Sequence, residues 1–328
     1  MRYVSPDHGD GPRVRDLAGS DDPRRDWLAD HLRLVPAGVW PFVAIAALLV
    51  ALQVRDAWAA GSWAGLGLLT LAILVFDALL PAAVLVGCRG DWRSAPVVFA
   101  GAVVWTWLVA VAGVLFGLQQ WLAPGTWLDQ PLGSAIGTGR ELAAIVALAG
   151  PAVVAYGLSK LRRTETTWPR PLVTVAIVLA VGMGLYEAQT GLNFYATIES
   201  GNGGPVQLSL GDLGNVILNA ARPVELLGLG ALAWSSLSAV RAGELPVRFW
   251  TLICAGSAAL FLFGVYTAAV GPAVSVGLIP MDLATGVVTS VYGVLNWGYP
   301  AAFAALLVGF GLGLPPDPLD LGDVIAAE

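Results

Sequence analysis

The chain has 328 residues, of which 57% are hydrophobic and only 12% charged. Soluble proteins carry about 25% charged residues, so this is the composition of a chain mostly dissolved in lipid, with short loops and two ends in water. A net charge of −6 argues against nucleic acid as a partner, because phosphate binding needs a clustered basic surface.

Residues 1–36 hold six Arg and seven Asp and have no long apolar core, so they do not read as a cleavable signal peptide. They form a cytoplasmic arm in which Asp22-Pro23 has the pattern of a helix start. Trp27, Leu28, Leu32 and Val35 would give that helix one apolar side for the membrane surface; a solvated, unstructured arm is the competing reading. Both histidines, His8 and His31, lie in this arm. The apolar region therefore has no imidazole for haem or zinc, and with only Cys88 and Cys254 it offers no thiolate metal site or disulfide framework. No cofactor is expected.

From residue 37 to 313 the chain gives eight apolar runs, each long enough to cross roughly 30 Å of hydrocarbon as a helix of about 20 residues. The expected spans are 37–54, 64–87, 96–118, 136–158, 171–189, 212–236, 249–270 and 284–312. The fold class is all-α, a polytopic membrane helix bundle. Loop 88–95 holds Arg89 and Arg93, loop 159–170 holds Lys160, Arg162, Arg163 and Arg170, and loop 237–248 holds Arg241 and Arg248. Loops 119–135, 190–211 and 271–283 contain neither Lys nor Arg. The positive-inside rule then places both termini in the cytoplasm of a cell with this protein in its cytoplasmic membrane, with Arg55 the one dissenter. Loop 190–211 is expected to be the longest external connection, with Ser200-Gly-Asn-Gly-Gly-Pro205 as turn-forming punctuation. The tail, 314–328, is acidic, rich in Pro and too short to fold alone.

The even-numbered spans share a pattern. At an offset of 77 residues Asn215 matches Tyr292, Asn219 matches Asn296, Arg222 matches Tyr299 and Pro223 matches Pro300. The second span has Asp77 four residues before Pro81, and the fourth has Ala147 four residues before Pro151. The odd spans echo one another in Phe116-Gly-Leu-Gln119, Gly184-Leu-Tyr186-Glu187 and Phe263-Gly-Val-Tyr266. Four helical hairpins of one type, or a four-plus-four parallel repeat with Pro-broken even-numbered helices, would give this pattern while keeping the orientation that the loop charges require. Gly61-xxx-Gly65, Gly113-xxx-Gly117 and Gly309-xxx-Gly313 have the small-residue spacing that lets helix backbones approach.

The sixth span carries the densest polar stripe. Asn215, Asn219 and Arg222 fall on one helical face with Glu225 beside them. An ionisable residue at mid-bilayer costs about 2.5–3.5 kcal/mol on insertion scales, against roughly 0.3–0.6 gained per aliphatic side chain. The stripe is therefore expected to face the bundle interior. Either Arg222 and Glu225 form a structural i, i+3 ion pair, or they line a cavity in which Arg222 holds an anionic group and Glu225 takes a proton or cation. Asp77 is a protonatable carrier, a counter-ion for Arg222, or a buried neutral acid. Tyr292, Asn296 and Tyr299 make the matching face of the eighth span, as interhelical glue or as hydrogen-bonding groups for a substrate or quinone head group. Arg140, Glu141, Tyr186, Glu187 and Asp282 stand at outer helix ends. Snorkelling to the interface is their expected role, and an outer vestibule the alternative.

The candidate site is thus Asn215, Asn219, Arg222, Glu225, Asp77, Tyr292, Asn296 and Tyr299. It favours a transporter or permease for a small solute or ion over a haem-free membrane subunit of an electron-transfer or assembly complex, with quinone as that subunit's ligand. The partners expected are the bilayer, the solute, and a second subunit or a second copy. No Walker lysine motif, His-Glu-x-x-His or Gly-x-Ser-x-Gly elbow is present, so an intramembrane enzyme is the weakest reading.

Overall fold

The structure, a computed structural model, describes residues 39–59, 61, 68–88, 95–121, 129–162, 167–202 and 210–315. The expected interfacial helix in 1–36 and most of the tail lie outside these residues. Among the described residues the fold is entirely helical. Its elements are α1 (Trp40–Ala59), α2 (Leu68–Gly87), α3 (Pro96–Ala102), a π-helical turn (Val103–Trp107), α4 (Leu108–Trp121), α5 (Asp129–Ala147), α6 (Gly150–Leu161), α7 (Arg170–Asn202), α8 (Leu210–Ala242), α9 (Val247–Ser275) and α10 (Met281–Gly311). With α3, the π turn and α4 taken as one rod, and α5 and α6 as another, they make eight rods in the order of the eight apolar runs. Six segments among the described residues are long and apolar enough to cross a membrane, in rods 1, 3, 4, 5, 6 and 7. In rods 2 and 8 the apolar segments are shorter, Val75–Gly87 and Gly298–Gly311. The chain is a multi-pass membrane protein by this measure.

Two features depart from the expected helices. Rod 5 runs to Asn202, well past residue 189, so much of the segment expected as an external loop is helix. No proline interrupts it before Gly203-Gly-Pro205, and a lone Gly191 costs only about 1 kcal/mol in a helix. At 1.5 Å per residue its 33 residues extend about 50 Å, more than the hydrocarbon thickness. The prolines also act unequally. Pro81, Pro223 and Pro300 sit inside continuous helices, as does Pro272 in rod 7. Only Pro151 accompanies a break: Leu148 and Ala149 donate to Ile145 and Val146 in three-residue bonds, and α6 restarts at Gly150.

That break faces the π turn of rod 3. A Cβ at Gly150 would overlap the backbone of Trp105, so the two irregular stretches lie directly against one another. Within the π turn, the Thr106 hydroxyl donates to the Ala102 carbonyl at 2.6 Å, an acceptor that a displaced i→i−4 ladder leaves available.

Rod 1 packs on rod 2, rod 2 on rod 3, and rod 3 on rod 4; rod 5 packs on rod 6, rod 6 on rod 7, and rod 7 on rod 8. Rod 8 closes against rod 2 and rod 4 against rod 6, while rods 1 and 5 lie outside this ring and touch rods 3 and 7. The continuous core belongs to the ring and includes Leu80, Val98, Trp105, Leu158, Leu232, Ile253, Phe303 and Phe310. Rod 1 adds only Val39, Phe42, Ala46 and Leu49 to small satellite clusters. Glycines set the closest approaches. A Cβ on Gly101 would stand 2.5 Å from the Val154 nitrogen of rod 4, and one on Gly256 would stand 2.6 Å from the Ala302 oxygen of rod 8. In return, Gly157 meets Val97 and Val98, and Gly309 meets Leu252 and Ile253. Such contacts rest on small residues because lipid supplies no hydrophobic force between helices.

One ion pair crosses from rod 4 to the end of rod 6. Arg162, whose side chain is 1% exposed, reaches Glu244 at 2.8 Å and donates from Nη1 to the Ser235 carbonyl at 2.9 Å. The sequence reading counts Arg162 only as a cytoplasmic loop charge; it is a buried tie between two rods.

Removing one partner of a buried pair leaves an uncompensated charge. Glu244→Gln is expected to destabilise the bundle by roughly 3 kcal/mol, read as lost resistance to denaturant in detergent. Gly150→Ala is expected to cost roughly 1–3 kcal/mol through overpacking, whereas Gly182→Ala, with nothing within 4 Å of its Cβ position, should leave the unfolding temperature unchanged or raise it.

Candidate functional site

Rod 6 presents Asn219, Arg222 and Glu225 three residues apart along one face. Pro223, inside the helix, has no N–H for the Asn219 carbonyl, so that oxygen lacks its usual partner. Arg222 Nη1 lies 3.7 Å from Glu225 Oε2, an i, i+3 contact longer than a hydrogen bond. The Arg222 side chain is 52% exposed rather than enclosed between helices. Both side chains border a cavity of about 390 Å³.

Three rods form that cavity. Rod 6 supplies Asn219, Arg222, Glu225 and Leu226, rod 7 supplies Phe263, Gly264, Thr267, Ala268, Gly271 and Pro272, and rod 5 supplies Met183, Tyr186 and Glu187. Gly264 leaves room for the Leu226 side chain, which would overlap any Cβ there. Pro272 withholds an N–H from the Ala268 carbonyl as Pro223 does from Asn219, so two residues whose carbonyls are freed by proline stand in the same wall. Tyr186 and Glu187, expected at the interface, line this wall instead. A rod that crosses at the margin of the bundle can turn its polar outer-end residues either toward the headgroups or toward its neighbours, and here a polar cavity is the nearer environment. Arg140 and Glu141 lie 4.0 Å apart, and the Glu141 carboxylate leans against Gly214 of rod 6. Asp282 stays exposed.

A second cavity of about 50 Å³ adjoins the first and shares Arg222, Glu225, Phe263 and Thr267 with it. Its other walls include Trp105 from the π turn and Tyr299 and Phe303 from rod 8. Tyr299 is held between rings, 4.9 Å from Phe263 and 5.0 Å from Phe303 by centroid. Asp77 of rod 2 is buried at 6% exposure and lines neither cavity.

The structure therefore brings Asn219, Arg222 and Glu225 of rod 6 and Tyr299 of rod 8 to two adjoining cavities, while Asp77 is buried on rod 2 and lines neither. Asn215 lies on α8, and Tyr292 and Asn296 lie on α10; their side chains are outside the described residues. The lining residues Trp105, Thr267, Ala268 and Pro272 carry no charge, and sequence reasoning passed over them, while Phe263 and Gly264 entered it only as part of the echo among odd spans. Pro272, assigned from sequence to the loop after the seventh span, lies inside the helix of rod 7. Among the described residues no group of three or more His, Cys, Asp or Glu is placed to hold a metal ion.

The wall chemistry is mixed. One guanidinium, two carboxylates, an amide, a phenol and a threonine hydroxyl face a space bounded elsewhere by Met183, Leu226 and Phe263. Such a pocket can orient a small polar solute by a few directed contacts while apolar walls exclude larger ones. No known family model, curated protein or solved structure matches the chain.

If the larger cavity is wet, Thr267→Cys in a Cys88→Ala, Cys254→Ala background should react with a charged, membrane-impermeant thiol reagent at least tenfold faster than Ile177→Cys, which faces outward on rod 5. Equal rates would show that the cavity holds no water.

Proposed function

We propose that this protein is a transporter or permease for a small solute carrying an anionic group, crossing the cytoplasmic membrane eight times with both termini inside. The observation that carries the reading is the Arg222–Glu225 pair, its guanidinium half-exposed and its carboxylate largely buried, on a proline-containing membrane helix bordering a cavity of about 390 Å³. Structural ion pairs in a membrane are enclosed by packing, whereas this one stands on open space large enough for a small metabolite. Arg222 binds the anionic group of the solute. Asn219, Thr267 and the carbonyls freed by Pro223 and Pro272 orient its polar remainder. Asp77, Glu225 and Tyr299 form the inner part of the site, with Asn215, Tyr292 and Asn296 on the same two helices.

The repeat is read as four plus four. Its support is the pattern of rod contacts: adding four to every rod number, counted around the eight, turns each neighbouring pair into another pair that also packs. The glycine contacts agree. Val97, Val98 and Gly101 of rod 3 have the spacing of Leu252, Ile253 and Gly256 of rod 7, and each set meets a glycine, Gly157 or Gly309, on the following rod. In this register Asp77 corresponds to Asn219, each four residues before the proline of its helix. The two halves share one orientation, as the Arg-bearing and Arg-free loops require.

The quinone reading has its support in the aromatic ring of Trp105, Phe263, Tyr299 and Phe303. The space between them, about 50 Å³, is small beside the adjoining cavity of about 390 Å³.

The test is a thermal-shift screen of the full-length protein in detergent against small carboxylates, sulfonates, phosphates and amino acids. A solute that binds the folded state raises the unfolding temperature by mass action, and its uptake is then followed in proteoliposomes. Arg222→Ala is expected to remove the shift and lower uptake at least tenfold, and Glu225→Gln to lower uptake with a smaller loss of binding. Uptake of a binding solute that both variants leave unchanged would sink these roles.

A further inference from the structure

Resting on the site proposed above, a further inference concerns which small solutes it admits. Among the described residues, the charged side chains bordering the larger cavity are Arg222 and Glu225 of rod 6 and Glu187 of rod 5, two rods that pack against one another. Rod 7 brings Thr267 and apolar residues to the wall and no charge, and the smaller cavity repeats only Arg222 and Glu225. Arg222 is placed against Glu225, whereas among the described residues no basic side chain pairs with Glu187. One guanidinium thus stands against two carboxylates, an excess of one negative charge. A solute with a single negative charge would double that excess, in surroundings where an uncompensated charge is strongly disfavoured.

The hydrogen-bonding groups lean the same way. An ionised carboxylate only accepts, so an anionic group uses Arg222 and the donors of Asn219 and Thr267. That leaves the Glu187 carboxylate, and the Asn219 and Ala268 carbonyls freed by Pro223 and Pro272, as acceptors for which a simple anion has no donor. An ammonium is the reverse, three donors and no acceptor. We infer that the solute is an amino acid in chemical class, its carboxylate held by Arg222 and its ammonium by Glu187 and the freed carbonyls. Met183, Leu226 and Phe263 give its carbon skeleton an apolar wall. The two opposite charges of the solute thus meet two different rods. A neutral amino acid leaves the charge of the wall unchanged and a basic one balances it, while an acidic one adds to the excess.

Apparent affinities are read from how the unfolding temperature of the full-length protein in detergent rises with probe concentration. The probes are glycine, γ-aminobutyrate, leucine, lysine and glutamate. For the tightest binder, the same skeleton is then tried without its amine and without its carboxylate, which for leucine means isocaproate and isoamylamine. A neutral or basic amino acid is expected to bind, with glutamate and both truncated analogues at least tenfold weaker. Glu187→Gln should lower the affinity for the amino acid at least tenfold and leave that for the deaminated acid equal or higher. Glu187→Asp should restore part of the loss, and Asp282→Asn should change nothing. The proposal is overturned if no amino acid binds, if glutamate binds tightest, if either truncated analogue binds as tightly as its parent, or if Glu187→Gln leaves the affinity intact. A deaminated acid that matches its parent sinks this inference alone, because a transporter of simple anions would still stand. An amino acid that binds as described, yet is not taken up by proteoliposomes, counts against the transporter reading alone.

Discussion

The constraint on which the rest of this bundle depends is that Arg222 cannot face hydrocarbon. A guanidinium at mid-membrane must find either water or a counter-charge, and a polar stripe on rod 6 can meet both only if neighbouring rods turn polar or small residues toward it. Rod 5 contributes Tyr186 and Glu187, and rod 7 contributes Gly264 and Thr267. The remaining rods are free to pack as close helices wherever glycines allow, which is how rods 3 with 4 and 7 with 8 are joined. The polar centre and the glycine-joined pairs are complementary. One needs space and the others remove it.

Irregular backbone reaches the charged centre at rod 3, where Trp105 of the π turn shares a cavity with Arg222 and Glu225. The π turn of rod 3 and the break in rod 4 press on one another through Trp105 and Gly150, and Trp105 also forms a wall of the smaller cavity. A π turn shifts the side chains that follow it around the helix relative to those before it, and such turns recur at functional sites. Here the shift delivers a large indole to the cluster while the Thr106 hydroxyl satisfies a carbonyl that the altered ladder leaves open. The polar centre is thus framed by prolines inside rods 2, 6, 7 and 8 and by a turn of π helix in rod 3.

How much of this was legible in the sequence depends on the kind of signal. Helix positions followed from apolar runs, because each run had to satisfy its own backbone hydrogen bonds in lipid. Arg222, Glu225 and Asp77 stood out because charge is conspicuous against Leu and Val. Cavity walls built from Met183, Leu226 and Ala268 were invisible, since the same residues make ordinary packing elsewhere. Rod 5 beyond residue 189 was misread as loop because scattered polar residues lower hydropathy without breaking a helix. Arg162 was misread for the opposite reason: it lies in a loop region by hydropathy, yet its side chain is only 1% exposed. Hydropathy ranks segments by solvent, and it cannot say which side chain reaches back into the bundle.

That buried arginine has a mechanical consequence. Rods 1–4 and rods 5–8 meet along two seams, rod 2 with rod 8 and rod 4 with rod 6. The second seam is riveted at one end by Arg162, Ser235 and Glu244, far along rod 6 from Arg222. Any relative motion of the two groups that keeps the rivet intact must swing about that end, as a door swings about its hinge post. Displacement then grows with distance from the rivet, and it is largest where Tyr186, Glu187 and Pro272 stand at the opposite end of the larger cavity.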